Sequence, residues 1–475
     1  MNLLQKCFKK KSVESLQKEA KKEHEFVRTF GSLQLILLGI GAIIGGGIFV
    51  FTGTAASLHA GPAITLSFAL SGFVCICAGL CYAEFASAIP ISGSSYTYAY
   101  AAIGELPAWI IGCASILAYF FCASAVAAGW AGYLTNMLAD FNIHLPVQFV
   151  HTTGHVSHVN GKTVESLINI PAIVVSLFAA AVLYRGAQAS SFINAVMVFI
   201  KMSVLFSFIL MGFIHIDFAN WTPYIPENTG KFGEFGISGI IGGASMVFLA
   251  YNGFDSICTA AQETKNPQRD LPIGIIGAIV ISALTYMLVG AVLTGVVPYP
   301  DLNVSHPIAV ATDKMGITWF SLFAKFGALA AIVSVILIHQ YALVRMIYTI
   351  TKDGLLPKVF SKTHPKNHIP HVATILIGVL MALVSSTTSL SELLKLSNFF
   401  ILFILVMVCI SSIYLRYTQP NVKRVFKCPF MPWTPIFAIL LALQIMFSFP
   451  ATTYKYACFS VSLILLFYFF YGKKK

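Results

Sequence analysis

The chain has 475 residues, of which 57% are hydrophobic and only 10% charged, and its mean hydropathy is +0.81. That balance excludes a water-soluble globular protein, in which about a quarter of the residues carry charge. The net charge of +12 sits mainly between apolar runs, so it reads as a topological signal and not as a nucleic-acid surface.

Apolar runs of about 20 residues, the length that spans a bilayer, predict an all-α polytopic membrane protein with twelve transmembrane helices. They fall near residues 32–57, 62–89, 95–136, 167–183, 189–215, 238–262, 272–297, 318–350, 371–387, 392–416, 433–449 and 454–472. Residues 1–30 form a basic tail with Lys6, Lys9, Lys10, Lys11, Lys18, Lys21, Lys22 and Arg28. By the positive-inside rule that tail is cytoplasmic. With twelve crossings the C-terminus is cytoplasmic too, and most other Lys and Arg residues then also fall inside. The tail is also suited to anionic lipid. No cleavable signal is expected, because the first apolar run follows about thirty polar residues and is too long for a signal core.

The first run carries Gly39-Ile40-Gly41-Ala42-Ile43-Ile44-Gly45-Gly46-Gly47-Ile48-Phe49. A glycine-dense break at mid-membrane exposes backbone groups that lipid cannot satisfy, so it must be buried in protein or line a wet cavity. It offers N–H groups to a carboxylate and freed carbonyls to an ammonium. The competing explanation is close helix packing through glycine. The second run ends with Glu84, read as a structural ion pair in preference to a gate. After the third run, His144, His151, His155 and His158 lie in what reads as a solvated loop, and no metal site is expected there. Asn220 and Asn303 each open an Asn-x-Ser/Thr triplet on the outer side. The ten cysteines lack zinc-ligand spacing and read as small hydrophobes.

In the fifth run Lys201 stands alone among apolar residues, about a dozen positions from each end. At 1.5 Å per residue it is too deep to snorkel easily. A charge at the centre of a span costs about 2.5–3.5 kcal/mol, so Lys201 needs local acceptors and is a functional candidate. The sixth run repeats the anomaly of the first: Gly239, Gly242 and Gly243 precede Phe248-Leu249-Ala250-Tyr251-Asn252-Gly253-Phe254-Asp255. Two breaks five spans apart suit an inverted repeat and a transporter site. The expected division is residues 31–216 for helices 1–5, 237–417 for helices 6–10, and 430–475 for helices 11–12 and a short cytoplasmic end.

These stretches, with Tyr82-Ala83-Glu84-Phe85, Pro90-Ile91-Ser92-Gly93-Ser94-Ser95-Tyr96, Glu263-Thr264-Lys265-Asn266-Pro267-Gln268-Arg269-Asp270-Leu271-Pro272 and Asp353-Gly354-Leu355-Leu356-Pro357, resemble the amino acid–polyamine–organocation transporter superfamily, in its bacterial branch related to cationic amino acid transporters. The resemblance implies a five-plus-five inverted repeat with discontinuous helices 1 and 6, alternating access and amino acid transport. It also implies that the substrate carboxylate meets the N–H groups of Gly45, Gly46 and Gly47, and that its ammonium meets the carbonyls of Ile43, Leu249 and Asn252. Tyr119 and Phe254 complete the expected pocket. The resemblance further assigns proton coupling to Lys201. The chain departs from the pattern in three places. Gly46 replaces a hydroxyl-bearing residue, Ala118 replaces an acid of helix 3, and His339-Gln340-Tyr341-Ala342 occupies helix 8. Loss of the acid favours neutral over cationic substrates.

The expected function is therefore secondary transport of an amino acid across the cell membrane, which is the inner membrane in a Gram-negative bacterium, by proton symport. The alternatives are an exchanger and, in a different class, a receptor that binds without translocating. Neither enzymatic activity nor a cofactor is expected, and the partners are the amino acid, protons and lipid.

Overall fold

The computed structural model describes residues 9–13, 16, 28–153, 156–159, 162–304, 307–422, 424–447, 449 and 451–471. Most of the basic tail, His155, the Asn303 triplet's Ser305 and the terminal lysines therefore lie outside the described residues.

The first apolar run is broken as expected. Helix α1 (Ser32–Ile43) ends where Ile44 turns extended, at φ −78° and ψ 102°. The chain then re-enters helix through a π-type turn (Gly47–Phe51), the short α2 (Thr52–Ala55) and a second π-type turn (Ala56–Ala60). Helix α3 spans Ile64–Ala88. The third run departs from expectation, being two helices, α4 (Ser94–Ala102) and α5 (Glu105–Asp140). The chain turns between them at Gly104, whose φ of 137° is open to glycine and strained for other residues. The loop that follows is not plain coil. It carries an antiparallel hairpin of β1 (Val156–Val159) and β2 (Lys162–Glu165), with Val156 opposite Glu165. The β-branched Val156, Val159, Thr163 and Val164 suit that pairing.

Helices α6 (Ile170–Tyr184) and α7 (Ala187–Ile214) complete the first half. The sixth run is broken too. Helix α8 (Gly236–Val247) passes into 3₁₀ turns at Phe248–Tyr251 and Phe254–Glu263, joined at Gly253. Then follow α9 (Pro267–Val296), α10 (Pro307–Lys314), α11 (Thr318–Lys352), α12 (His371–Thr387), α13 (Leu390–Thr418), α14 (Trp433–Phe447) and α15 (Ala451–Tyr471). Among the described residues, seven helical stretches are long and apolar enough to cross a membrane and five shorter apolar helices accompany them. Two of the short ones, α1 and α8, are the leading halves of the broken runs.

The broken segments sit at the centre because long helices flank them. Helix α3 lies along α9, α5 along α11 and α13, α6 along α12, and α1 against both α9 and α7. Large aromatic side chains such as Phe192, Phe199 and Phe206 of α7 stay exposed on the outer surface, which suits lipid contact.

The end of the bundle approached by residues 9–13 is held by ion pairs. Glu84 lies 2.7 Å from an Arg416 nitrogen and 3.0 Å from Arg424 Nε, and also accepts from the Cys428 N–H at 2.7 Å. That geometry fits the structural ion pair expected for Glu84. Lys11 pairs with Asp353, whose second oxygen accepts from Tyr96 Oη at 2.7 Å. Glu263 pairs with Arg345, both nearly fully buried, and the Glu263 carbonyl accepts the N–H groups of Thr29 and Phe30.

Candidate functional site

At the break in the first run, every backbone carbonyl that loses its helical partner must find another, because no water reaches a dry interior. The chain supplies the donors from three other helices. Lys201 Nζ of α7 donates to the carbonyls of Ile40 at 2.9 Å, Gly41 at 3.0 Å and Ile44 at 2.6 Å, and lies 3.2 Å from Ser334 Oγ of α11. Ser334 in turn donates within 2.9 Å of both Gly41 O and Asn194 Oδ1. Asn194 stands seven residues before Lys201, so both share one face of α7. The lysine is fully buried. Its distance from either end of the run, noted above, is thus answered by a cage of acceptors and not by snorkelling.

Another carbonyl of the break, Ile43 O, accepts from Tyr286 Oη of α9 at 2.9 Å. The same hydroxyl lies 2.9 Å from Ala250 O in the second break. The two breaks are in contact elsewhere as well. A Cβ placed on Gly47 would come within 2.7 Å of the Ala250 backbone. Gly253 adopts a left-handed φ of 107°, and a Cβ there would meet Ala42 and His339 at 2.8 and 3.1 Å. Only glycine satisfies both constraints at this position.

Beside the paired breaks lies a cavity of about 540 Å³. Its walls come from Ala42, Ile43, Gly45, Gly46 and Gly47 of the first break, Ala250 and Asn252 of the second, and faces of α5, α11 and α13. The cavity extends to Val150–Thr152, just ahead of the hairpin, so it faces that end. The N–H groups that open the second half of a broken helix lack intrahelical partners, and here they border the cavity. Among the described residues, no aspartate, glutamate, lysine or arginine lines it. Its polar groups include His151, Asn169, Asn252, whose amide donates to Asn398 Oδ1 at 3.1 Å, and His339, whose Nδ1 donates to Val335 O at 2.9 Å.

Of the residues expected from sequence, Ile43, Gly45, Gly46, Gly47 and Asn252 meet around this cavity. Leu249 belongs to the 3₁₀ turn of the second break, and only its backbone is described. Tyr119 and Phe254 are not among the residues that line this cavity. Tyr119 is buried with its hydroxyl donated to Asp255 Oδ2 at 2.6 Å, and Phe254 packs edge-on against Tyr82 with ring centroids 5.6 Å apart. Together with the stacked Phe85 and Tyr98, centroids 4.8 Å apart, these rings fill the space between the cavity and the ion-paired end. The cavity is thus closed on that side. Lys201 also lies behind the lining, acting on the backbone and not on the cavity directly. Sequence reasoning missed Tyr286, Ser334 and Asn194. Only the seven-residue spacing of Asn194 and Lys201 carried a local signal.

A helical membrane protein in which two interrupted segments meet at a central cavity, offering backbone donors on one side and backbone acceptors on the other, has the architecture of a permease. The chain belongs to the amino acid permease family, whose model matches residues 30–470. It is similar to the branched-chain amino acid permease BcaP of Bacillus subtilis (strain 168), with 39% identity over 468 residues and 98% of each chain covered. The methylthioribose transporter of the same organism is 38% identical over 467 residues, again with 98% of each chain covered. The cationic amino acid transporter 4 of Mus musculus is 34% identical over 406 residues, covering 85% of this chain and 62% of that one. These relatives are permeases and transporters, not enzymes.

Proposed function

We propose that this protein is a secondary active transporter that carries a neutral amino acid into the cell by alternating access and couples that movement to protons through Lys201. The observation that carries the reading is the cavity wall itself. Glycine N–H groups of the first break face a compartment in which the described residues place no acid, lysine or arginine, so a zwitterionic backbone is met by backbone dipoles while the side chain meets mostly apolar groups. A lysine or arginine side chain would enter without a carboxylate partner, at a large desolvation cost. Asp255, the nearest buried acid of the second break, is already engaged by Tyr119 beneath the wall.

Proton coupling is supported by the acceptor cage around Lys201. An ammonium brings three donors to carbonyls and a hydroxyl that would otherwise suit a metal cation, and it fills the place such a cation would take. Once the proton leaves, the amine has two donors and a lone pair that faces carbonyl oxygens. The hold on the first break weakens, and the protonation state biases one global conformation over another.

The wider reading is twelve spans with both termini cytoplasmic in the cell membrane, arranged as two inverted repeats over residues 31–216 and 237–417. Three facts support it: the two breaks lie five spans apart, α3 packs along α9 and α5 along α11, and α6 packs along α12. Each of those pairs joins elements that correspond under such a repeat. On this orientation the hairpin is outside, and the structure represents an outward-facing form with its inner side sealed.

Uptake by purified protein in liposomes, with each common L-amino acid and methylthioribose offered in turn, tests the proposal. Accumulation of neutral, apolar amino acids is expected. Uptake of only arginine and lysine, or of methylthioribose with no amino acid, would overturn it.

A further inference from the structure

The hydroxyl of Tyr286 lies 2.9 Å from both Ile43 O and Ala250 O, which belong to different breaks. Both residues line the cavity, whereas Tyr286 does not. It reaches the two carbonyls from behind, fully buried on α9, with its ring wedged against Phe68 and Tyr251 at centroid distances of 5.3 and 5.1 Å. One hydroxyl hydrogen serves two oxygens, each with two lone pairs. A single hydrogen cannot saturate both, so acceptor capacity is left for another donor, and the two oxygens are fixed on either side of a common atom 2.9 Å from each.

The geometry points to Tyr286 as the positioning residue for amine recognition: it holds the end of the first break and the start of the second at a set spacing, so that their carbonyls present a preorganised pair of acceptors to the α-ammonium of the substrate. This inference rests on the amino acid reading above and adds the residue that makes the two breaks act as one site. Without the hydroxyl, the ammonium would have to draw two independent half-helix ends together at its own expense, which lowers affinity for the amine and leaves the carboxylate end untouched. The carbonyls of Ile40, Gly41 and Ile44 are held by Lys201 and belong to residues outside the cavity lining, unlike Ile43 and Ala250.

Tyr286→Phe removes one oxygen atom and keeps the ring packed. The variant is expected to fold, because the ring keeps its packing against Phe68 and Tyr251. The test uses the amino acid that the wild-type protein takes up best, together with the carboxylic acid that has hydrogen in place of its amino group. Inhibition constants for both are read on the same liposome sample, so any loss of folded protein scales the maximal rate and leaves their ratio alone. We expect the constant for the amino acid to rise about tenfold, the loss of one hydrogen bond's worth of affinity, while that for the des-amino acid stays unchanged. Equal weakening of both ligands, or no weakening of either, overturns the role of Tyr286 and leaves the transporter reading standing. If the wild-type protein accumulates no amino acid at all, the transporter reading fails first and takes this inference with it.

Discussion

Gly46 and Gly47 are neighbours with different reasons to lack a side chain. A Cβ on Gly46 would meet nothing within 4 Å, and its backbone is right-handed helical at φ −52° and ψ −25°. A Cβ on Gly47 would run into the Ala250 backbone. Gly46→Val is therefore expected to yield normally folded protein whose methyl groups occupy the space over the backbone donors. It should abolish amino acid binding, measured by scintillation proximity, with little change in melting temperature. Gly47→Val is expected to push the two breaks apart and lower stability by about 1–3 kcal/mol, the usual cost of overpacking, seen as a lower melting temperature. Normal binding by Gly46→Val would remove the first break from the substrate site. At Lys201 the expectation combines function and stability. Lys201→Ala removes the ammonium from the cage, and a buried acceptor left unmet costs about 1–3 kcal/mol, so melting temperature falls while the protein still inserts. Lys201→Arg does not restore coupling, because a guanidinium keeps its proton across the working range.

At the scale of elements, the ends of the broken segments are tied by buried polar pairs that cannot be cut singly. Arg345 of α11 and Glu263 at the end of the second break are 2% and 1% exposed, respectively. Removing one charge of such a pair typically costs about 3–5 kcal/mol, because its partner stays buried and unmet. Arg345→Met should therefore destabilise strongly in a detergent melt, and adding Glu263→Gln should recover part of the loss. A double variant no more stable than the single one would contradict the account of this contact.

Both breaks were legible in the sequence, because Gly45-Gly46-Gly47 and Asn252-Gly253 interrupt apolar periodicity where lipid forbids it. Lys201 was legible for the same reason, as a charge too deep to reach water. Tyr286 was not: one tyrosine in an apolar run does not reveal a partner 243 residues away. Nor were the turn at Gly104, which depends on a backbone conformation, and the capture of Tyr119 by Asp255, which depends on how two distant helices pack.

For the whole molecule, one end is open and the other shut. Beneath the cavity come the rings of Tyr82, Phe85, Tyr98 and Phe254, and below them Glu84 ties α3 to α13 and to the Cys428 loop. Glu84→Ala removes the shared partner of Arg416 and Arg424 and frees the Cys428 N–H. Reaction of Cys428, only 3% exposed, with a water-soluble maleimide, followed by peptide mass spectrometry, should speed up several-fold in that variant. An unchanged rate would mean that the ion pairs do not seal this end. The global claim is that closure and opening are linked to a proton on Lys201. The most direct test is uptake of the best neutral substrate into sodium-free liposomes, with an acidic exterior as the only gradient, comparing the wild-type protein with Lys201→Ala. The account predicts that the wild-type protein concentrates substrate above the external level and collapses to equilibrium when a protonophore is added, while Lys201→Ala never exceeds equilibrium. Concentrative uptake by Lys201→Ala under the same pH difference would contradict it.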